Sequence, residues 1–423
     1  MVDNFKRFDM KKKPIKCLWF LKPVAWGIAW PGLIAHKTQI TKIGMEGVKP
    51  PYLFIGNHNA FMDMKVAAKA TFPNFGNFVV AIDGYIGREW LLRAIGCIGK
   101  RKFTDDINLI KNLSYVAKIG GIPALYPEAR YSLCGTTSVL PESLGKLVKM
   151  LKVPVVVLIC HGNHINHPFW NTRHERKVRN TAEMKLLFTS QDIERLSVDE
   201  INAKLVEALQ YDDFRWQAEN KVKVDCPDRA VGLEKILYQC PKCKTEYRMK
   251  SENSKIFCTC CGKEWEMTEY GRLVAKDGET EFAHIPDWYE WERDNVRKEV
   301  QNGTYSTGEL PVHVNSLPNP KKFIRLGEGT MIHDMNGFRV SVKDKDGVVH
   351  EMVKTVPSLY SVHIEYEYLF KHGDCVDLNT LEDTWYTYPK NCDFSVTKMA
   401  LATEELYFEH RRKIGNPCKP GLA

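Results

Sequence analysis

His58 and Asp63 stand five positions apart in the stretch GNHNAFMD, residues 56 to 63. An apolar, strand-like run at 52–55 precedes this stretch, and a helix-like run at 64–70 follows it. An imidazole can take a proton from an alcohol, and a carboxylate on its other ring nitrogen fixes the tautomer and stabilises the imidazolium. The spacing therefore predicts a base and its orienting group at a strand-to-helix turn. Taken alone this is weak evidence, because short motifs often occur by chance.

Three further blocks follow in a fixed order. Residues 88–103 read REWLLRAIGCIGKRKF, residues 126–132 read YPEARYS after an apolar run, and residues 153–158 read VPVVVL, a buried-strand pattern. With the first block, they resemble the glycerolipid acyltransferases, the PlsC-like family of lysophosphatidate (1-acylglycerol-3-phosphate) and related lysophospholipid acyltransferases. That family carries NHxxxxD (the HX4D motif), a Gly-containing run with an Arg, FPEGTRS and an apolar VPV-type strand. The resemblance covers roughly residues 50 to 160.

The resemblance implies an α/β domain with a central sheet and an enzyme of phospholipid biosynthesis. Its reaction moves a fatty acyl group from acyl-CoA or acyl carrier protein to a hydroxyl of lysophosphatidate or a related lysophospholipid. His58 would be the general base and Asp63 its orienting group, and no covalent nucleophile is needed because a thioester is already electrophilic. The substrate-binding residues that the motifs imply are Asn57, Lys100, Arg101, Glu128 and Arg130.

Within this set, two roles are argued from chemistry. Asn57 or a nearby backbone N–H would help to stabilise the oxyanion. Arg101 is a better phosphate ligand than Lys100, because a guanidinium can bind phosphate through two parallel hydrogen bonds. The charged residues of this set also have structural alternatives. Glu128 and Arg130 could form a structural ion pair, and residues 100–102 could be a solvated basic turn.

The chain departs from the family pattern in the third block. The family's Gly, Thr and Arg are Ala129, Arg130 and Tyr131 here, so the arginine stands one place early, and a frequent Ser of the first block is Ala60. The acceptor is therefore the open point. The alternatives are an acyltransferase acting on a different hydroxyl acceptor, and an inactive acyltransferase scaffold that serves as a zinc-ribbon interaction protein.

Two Cys-x-x-Cys pairs lie 14 residues apart, in CPKC at 240–243 and in CTCCG at 258–262. Four thiolates at this spacing are typical of a structural Zn²⁺ site of ribbon type, and a ribbon is too small to fold without its metal. The predicted ligands are Cys240, Cys243, Cys258 and Cys261. Cys260 is the uncertain member, since it could replace Cys258 or Cys261.

Composition indicates the cellular compartment of the protein and the kind of partner that it binds. Thirteen cysteines, several in isolated apolar contexts, indicate reduced thiols in a cytoplasmic protein. A net charge of +8 suits an anionic partner such as a membrane surface. Nucleic-acid binding is unlikely, because the flanks of the cysteine pairs are acidic and no basic-aromatic stripe is present.

The N-terminal stretch CLWFLKPVAWGIAWPGLIA, residues 17–35, has three Trp residues and one charge, and follows three consecutive lysines. Lys22, Pro23 and Pro31 interrupt it, so we expect a segment that lies on the cytoplasmic face of the membrane. Packing into the core and spanning the membrane are the alternatives. The predicted protein is thus cytoplasmic and peripherally membrane-associated.

Four regions are predicted: the N-terminal segment 1–37, the acyltransferase domain 38–229, the zinc ribbon 230–271, and a helix followed by a β-rich domain at 272–423. Short strand-like runs separated by turn signals such as Asn336-Gly337 and Asp346-Gly347 favour a small barrel or sandwich in the last region. His161 and His164, in CHGNHINH, are interpreted as loop histidines in preference to metal ligands.

Overall fold

The computed structural model describes residues 6–171, 174–368 and 373–423. It contains a mainly parallel sheet flanked by helices, a small four-stranded sheet and a large antiparallel sheet. The first sheet consists of β1 Gln39–Ile43, β2 Leu53–Gly56, β3 Asn77–Ala81, β4 Ile98–Lys100, β5 Pro123–Leu125, β6 Val155–His161 and β7 Thr181–Phe188.

These seven strands lie in the order β1-β7-β6-β2-β5-β3-β4. Neighbouring strands are parallel except for β6 and β7, which are antiparallel. The central strand β2 is buried along its whole length, as expected for a parallel strand covered on both faces. The predicted α/β domain with a central sheet is therefore present.

Helices surround this sheet and follow most of its strands. They are α1 Lys22–Ala35, α2 Met62–Ala70, α3 Glu89–Ala94, α4 Ile107–Lys118, α5 Ser143–Leu151, α6 Asn163–Asn166, α7 Ser190–Arg195, α8 Val198–Ala208 and α9 Asp213–Glu219. The start of α8 agrees with its sequence signal: Ser197 and Glu200 form a capping box. Short 3-10 turns occupy Trp19–Leu21, Ile82–Tyr85, Leu233–Lys235 and Val356–Ser358.

The four-stranded sheet holds the cysteine pairs. Its strands β8 Met249–Glu252, β9 Lys255–Cys258, β10 Glu264–Met267 and β11 Leu273–Ala275 pair with their neighbours in an antiparallel meander. The last strand lies beyond the predicted boundary at residue 271. This unit also shares its core with the chain that follows: Trp265 of β10 packs edge-on against Trp288 at 4.9 Å between ring centroids. The small sheet is thus covered by a neighbouring helix, which sequence spacing alone does not indicate.

The last region begins with α10 Ile285–Gln301 and ends with α11 Val396–Lys413. Between them lie β12 Leu310–Ser316, β13 Ile324–Asp334, β14 Gly337–Lys343, β15 Val349–Thr355, β16 His363–Glu365, β17 Cys375–Asn379 and β18 Thr384–Pro389. They form one antiparallel sheet in the order β15-β14-β13-β12-β18-β17-β16. The predicted β-rich character of the C-terminal region is confirmed. The prediction missed α11, which is buried on most sides and so lacks the one-sided apolar pattern of a surface helix.

The N-terminal segment forms a turn and then α1, which packs on α2. Ala29 and Leu33 face inward, whereas Trp19, Ile28 and Ile34 are largely exposed. No helix within the described residues is long and apolar enough to cross a membrane. Because α1 has 14 residues, it reaches only about 21 Å, less than the ~30 Å hydrocarbon core.

Candidate active site

His58 and Asp63 meet at the carboxyl end of β2. The Nδ1 atom of His58 lies 3.1 Å from Oδ2 of Asp63. The Asp63 side chain is completely buried, while that of His58 is 19% exposed. The ring nitrogen that remains, Nε2, is the one that can accept a proton from a substrate hydroxyl.

The Asp63 carboxylate is held by more than the imidazole. Its Oδ2 also accepts hydrogen bonds from the backbone N–H groups of Asn59 at 2.5 Å and Ala60 at 3.0 Å. Its Oδ1 accepts a hydrogen bond from the side-chain amide of Asn163 at 2.6 Å. Because Asp63 lies in the first turn of α2, the positive end of the helix dipole also favours its charge. The carboxylate therefore has one orientation, and the orientation of the His58 ring follows from it.

Aromatic rings enclose the imidazole. The Tyr126 ring stacks on His58 at 4.3 Å, and the Tyr131 ring lies 4.4 Å away at a tilt. Both tyrosines belong to the third block, so the fold brings the first and third blocks together. Burial and the neighbouring Asp63 charge raise the pKa of each phenol, which keeps both rings neutral.

Asn57 joins the two central strands. Its side-chain amide donates to the carbonyl of Cys160 at 2.9 Å, and its Oδ1 accepts from the N–H of Cys160 at 2.8 Å. Both polar ends of the buried amide are thus bonded to β6. The predicted oxyanion role does not fit this arrangement, since the Asn57 side chain is completely buried and its amide is bonded to β6 at both ends.

Glu128 supports the loop that carries His58. Its Oε1 accepts a hydrogen bond from the backbone N–H of His58 at 3.0 Å, and its Oε2 accepts one from Ser138 N–H at 2.9 Å. Burial raises the pKa of Glu128 to about 7, although the two backbone bonds oppose the shift. The structural alternative, an ion pair between Glu128 and Arg130, is wrong, because Arg130 bonds to other groups.

The two predicted phosphate-binding arginines both point into the C-terminal region. The Arg101 guanidinium is buried and donates to the carbonyls of Leu317, Pro318 and Glu382 and to the hydroxyl of Thr384. Arg130 donates to the carbonyl of Val362 at 3.1 Å and to Glu404 of α11 at 2.7 Å. In this conformation neither guanidinium is available to a substrate phosphate.

The predicted alternative of a solvated basic turn at 100–102 does not describe Lys100 and Lys102. The Lys100 ammonium bonds to the carbonyl and hydroxyl of Thr104, and burial lowers its pKa. Lys102 lies among three carboxylates at 3.9 to 4.0 Å. Arg101 and Lys102 thus contact the C-terminal region, whereas Lys100 bonds within its own loop.

Ala129 has an unusual backbone conformation, and the two histidines predicted to be in a loop lie at the end of β6 and in α6. Ala129 has a φ of +55°, the left-handed region where glycine is favoured. That conformation accounts for the Gly at this place in the family pattern. His164 is buried, which lowers its pKa to about 3, and His161 stacks on Trp216 at 5.9 Å. Neither histidine belongs to a cluster of potential metal ligands among the described residues.

The four predicted zinc ligands converge. The Sγ atoms of Cys240 and Cys261 are 3.7 Å apart, as are those of Cys243 and Cys258. Ligands of a tetrahedral zinc at Zn–S distances of about 2.3 Å are separated by about 3.8 Å. Cys260 is exposed and lies outside this cluster. The cysteine arrangement is compatible with a zinc site formed by the four predicted residues.

The comparisons with known proteins give a distant likeness. No protein-family model matches the chain, and no curated protein sequence matches it. Among solved structures, the 1-acyl-sn-glycerophosphate (LPA) acyltransferase PlsC from Thermotoga maritima is similar over 45% of this chain and 77% of that chain. The sequence identity is 15% and the TM-score is 0.38. This is weak similarity to an acyltransferase fold.

Proposed function

We propose that this chain transfers an acyl group from a thioester to a hydroxyl group. The observation that carries the proposal is the His58–Asp63 pair, in which a buried and fully bonded carboxylate orients a partly exposed imidazole. Among the described residues, no serine hydroxyl or cysteine thiol is hydrogen-bonded to the imidazole. A base held in this way suits direct attack by a substrate alcohol.

The reaction then has two steps. His58 Nε2 takes the hydroxyl proton as the alcohol oxygen forms its bond to the thioester carbon. The tetrahedral intermediate collapses, the C–S bond breaks, and the imidazolium returns the proton to the leaving thiolate. Asp63 stabilises the imidazolium between the two steps, because its charge lies 3.1 Å from Nδ1.

The acceptor is the part of the proposal that differs from the family pattern. Arg101 and Arg130 are the arginines expected to bind an acceptor phosphate, yet both are buried in contacts with the C-terminal region. A hydroxyl acceptor recognised without these two guanidinium groups therefore fits the site better than lysophosphatidate. The acyl carrier, whether coenzyme A or acyl carrier protein, is left to experiment.

The N-terminal face supports access to a lipid acceptor. Trp19 is 81% exposed and Ile34 is 75% exposed, and the basic run 11–13 is exposed nearby in the chain. Exposed apolar side chains beside lysines are typical of segments that bind anionic membranes. We propose that this face rests on the membrane surface.

The decisive experiment compares the full chain with His58→Ala and with His350→Ala as a control. Acyl-CoA and acyl carrier protein thioesters are offered with lysophosphatidate, neutral lysolipids and monoacylglycerol in vesicles. Because a general base contributes about 10²- to 10⁴-fold, we expect a loss of that size in His58→Ala and none in His350→Ala.

The other outcomes are equally informative. Full activity in His58→Ala would contradict the base. Preferred use of lysophosphatidate would contradict the proposed acceptor class and restore the family's usual substrate. A folded wild-type chain that is inactive with every donor and acceptor would favour the interaction-protein alternative.

A further inference from the structure

A second cluster of polar side chains lies where the acyltransferase region meets the large antiparallel sheet. His363 and Glu365 are on β16, and Asp377 is the β17 residue paired with His363. Side chains two apart on a strand, and those of directly paired residues, project from the same face of a sheet. The three groups therefore converge, and Asp83 and Lys102 approach them from the other region.

The ligand atoms are spaced as a metal ion requires. His363 Nε2 lies 2.9 Å from Glu365 Oε1 and 3.8 Å from Asp377 Oδ2. One nitrogen and two carboxylate oxygens all lie within 4.8 Å of one another. Adjacent ligands of an ion at bond lengths of about 2.1 Å are separated by about 3.0 to 3.4 Å. Small side-chain rotations would bring all three onto one ion.

One of these atoms lacks a hydrogen-bond partner. Asp377 is 2% exposed, and its Oδ2 accepts no hydrogen bond from any described residue. A buried carboxylate oxygen without a partner is energetically costly, and such an atom in a native structure points to a bound ion or water. Oδ2 of Asp377 faces His363, and a small cavity bordered by Asp83, Lys102 and Asp377 lies beside this atom.

The Lys102 ammonium is too far from the surrounding carboxylates to form hydrogen bonds with them. Its Nζ lies 4.0 Å from Asp83, 4.0 Å from Glu365 and 3.9 Å from Asp377, beyond the usual hydrogen-bond distance of about 2.9 Å. Three carboxylates against one ammonium leave a formal charge of −2 when all are ionised. A divalent cation would balance that charge.

From this geometry we infer that His363, Glu365 and Asp377 bind a divalent transition-metal ion. An imidazole with two carboxylates suits Zn²⁺ or Mn²⁺, whereas Mg²⁺ and Ca²⁺ prefer sites made only of oxygen. The site is separate from the cysteine cluster, and its ligands include no thiol. It does not depend on the proposed acyl transfer.

The ion would join the last two strands of the large sheet, at the end that faces the His58 pocket. Tyr368, which follows β16, donates to Asp83 in the acyltransferase region at 3.3 Å. The His363 ring lies 6.2 Å from Phe169, whose ring is 5.8 Å from Tyr131, which in turn contacts His58. A metal at β16 and β17 would therefore stabilise the strands that contact the wall of the pocket.

The test uses the full chain loaded with one equivalent of Zn²⁺, which the four thiolates bind in preference to the nitrogen and oxygen ligands. Mn²⁺ is then titrated, and free Mn²⁺ is measured by electron paramagnetic resonance. We expect the wild-type chain to bind one Mn²⁺. Asp377→Asn should weaken binding more than about 100-fold, since loss of a ligand exceeds the loss of a supporting residue. Glu351→Gln, which removes an exposed carboxylate from β15 of the same sheet, should bind like wild type.

Folding of each variant is checked by circular dichroism, and His363→Gln is the second variant if Asp377→Asn does not fold. Metal content of the wild-type chain after equilibration with excess Zn²⁺ provides a measurement that needs no variant, and we expect at least two ions per chain, because His174, Cys226 and Asp228 form a further group of potential ligands. A single zinc ion with no Mn²⁺ binding would overturn the inference. Unchanged Mn²⁺ binding in a folded Asp377→Asn or His363→Gln chain would overturn it as well.

Discussion

At the scale of single residues, Asp63 has both a positioning role and a structural role. It orients His58, and it also caps the loop, since it accepts two backbone N–H bonds and one from Asn163. Removal of the carboxylate would therefore leave several buried donors without partners. A variant at Asp63 mixes catalysis with stability, so His58→Ala is the cleaner probe of the base.

Glu128 gives a prediction about pH. Its pKa rises from 4.5 to about 7 on folding, mainly through burial. Between these values the folded chain keeps a proton that the unfolded chain has released. The free energy of unfolding therefore falls as the pH rises from about 4.5 to 7, and this contribution is level above that range. The shift corresponds to about 3 kcal/mol.

Glu128→Gln isolates this effect, because glutamine does not titrate. Urea unfolding of both proteins at several pH values should show that the free energy of unfolding of the wild type, relative to the variant, is highest at and below about pH 4.5 and falls by about 3 kcal/mol towards pH 7.5. A difference between the two proteins that does not change with pH would contradict the raised pKa.

At the scale of elements, α11 is tied to the third block by a buried ion pair. Arg130 binds Glu404, which also accepts from Arg293 of α10 at 2.7 Å. Burial alone would raise the pKa of Glu404, but the two arginines hold it below its ordinary value. The third block is thus joined to both helices of the C-terminal region.

Arg130→Met should destabilise the fold by about 1 to 3 kcal/mol, because the buried Glu404 keeps Arg293 but loses one of its two arginines and the Val362 carbonyl loses its donor. The double variant Arg130→Met with Glu404→Gln should lose less than the sum of the single changes, since the two residues share one interaction. Urea unfolding measures both, with the exposed Arg325→Met as control. Unchanged stability together with a raised KM for a phosphorylated acceptor would instead support the phosphate-binding role.

The cysteine cluster gives a second prediction at this scale. If the four cysteines bind zinc, Cys258→Ser should lose that ion and lower the melting temperature, because a structural zinc ion contributes folding free energy to a sheet of this size. Cys260→Ser should keep the ion, since Cys260 is exposed and outside the cluster. Zinc released by a thiol-reactive reagent and counted with a colorimetric chelator distinguishes the two. Equal zinc loss in both variants would contradict the ligand assignment.

At the scale of the whole molecule, the exposed N-terminal face predicts membrane binding. Replacing Trp19, Ile28 and Ile34 by Ser removes apolar side chains that are 81%, 65% and 75% exposed. We expect vesicle binding to fall about tenfold or more, since each buried apolar side chain contributes at least about 1.5 kcal/mol. Sedimentation with anionic vesicles measures it.

The matched control is Val349→Ser with Val353→Ser, which removes exposed apolar side chains of β15. Binding that survives the N-terminal changes, or that is lost equally in the control, would contradict the assigned face. Weaker binding at high salt is also expected, because the lysines at 11–13 act through screened charge.

Much of the structure of residues 38–229 could be predicted from the sequence by itself. The strands β2, β5 and β6 are short apolar runs that can only be buried, and α8 begins at its own capping signal. The pairing of His58 with Asp63 follows from a spacing of five residues across one turn, which local geometry decides. Each cysteine pair sits in a short knuckle for the same reason, whereas the contacts between the two pairs are made by the folding of the chain between them.

Only the tertiary structure decided what the long-range partners of the charged residues are. Arg101 bonds to residues at 317, 318, 382 and 384, and Arg130 to residues at 362 and 404. A motif states which residue type is present but not which distant carbonyl or carboxylate it meets. The same limit applies to His363, Glu365 and Asp377, which the pairing of β16 with β17 brings together. Contacts between residues close in the chain follow from spacing, whereas those made by packing of whole regions depend on the complete fold.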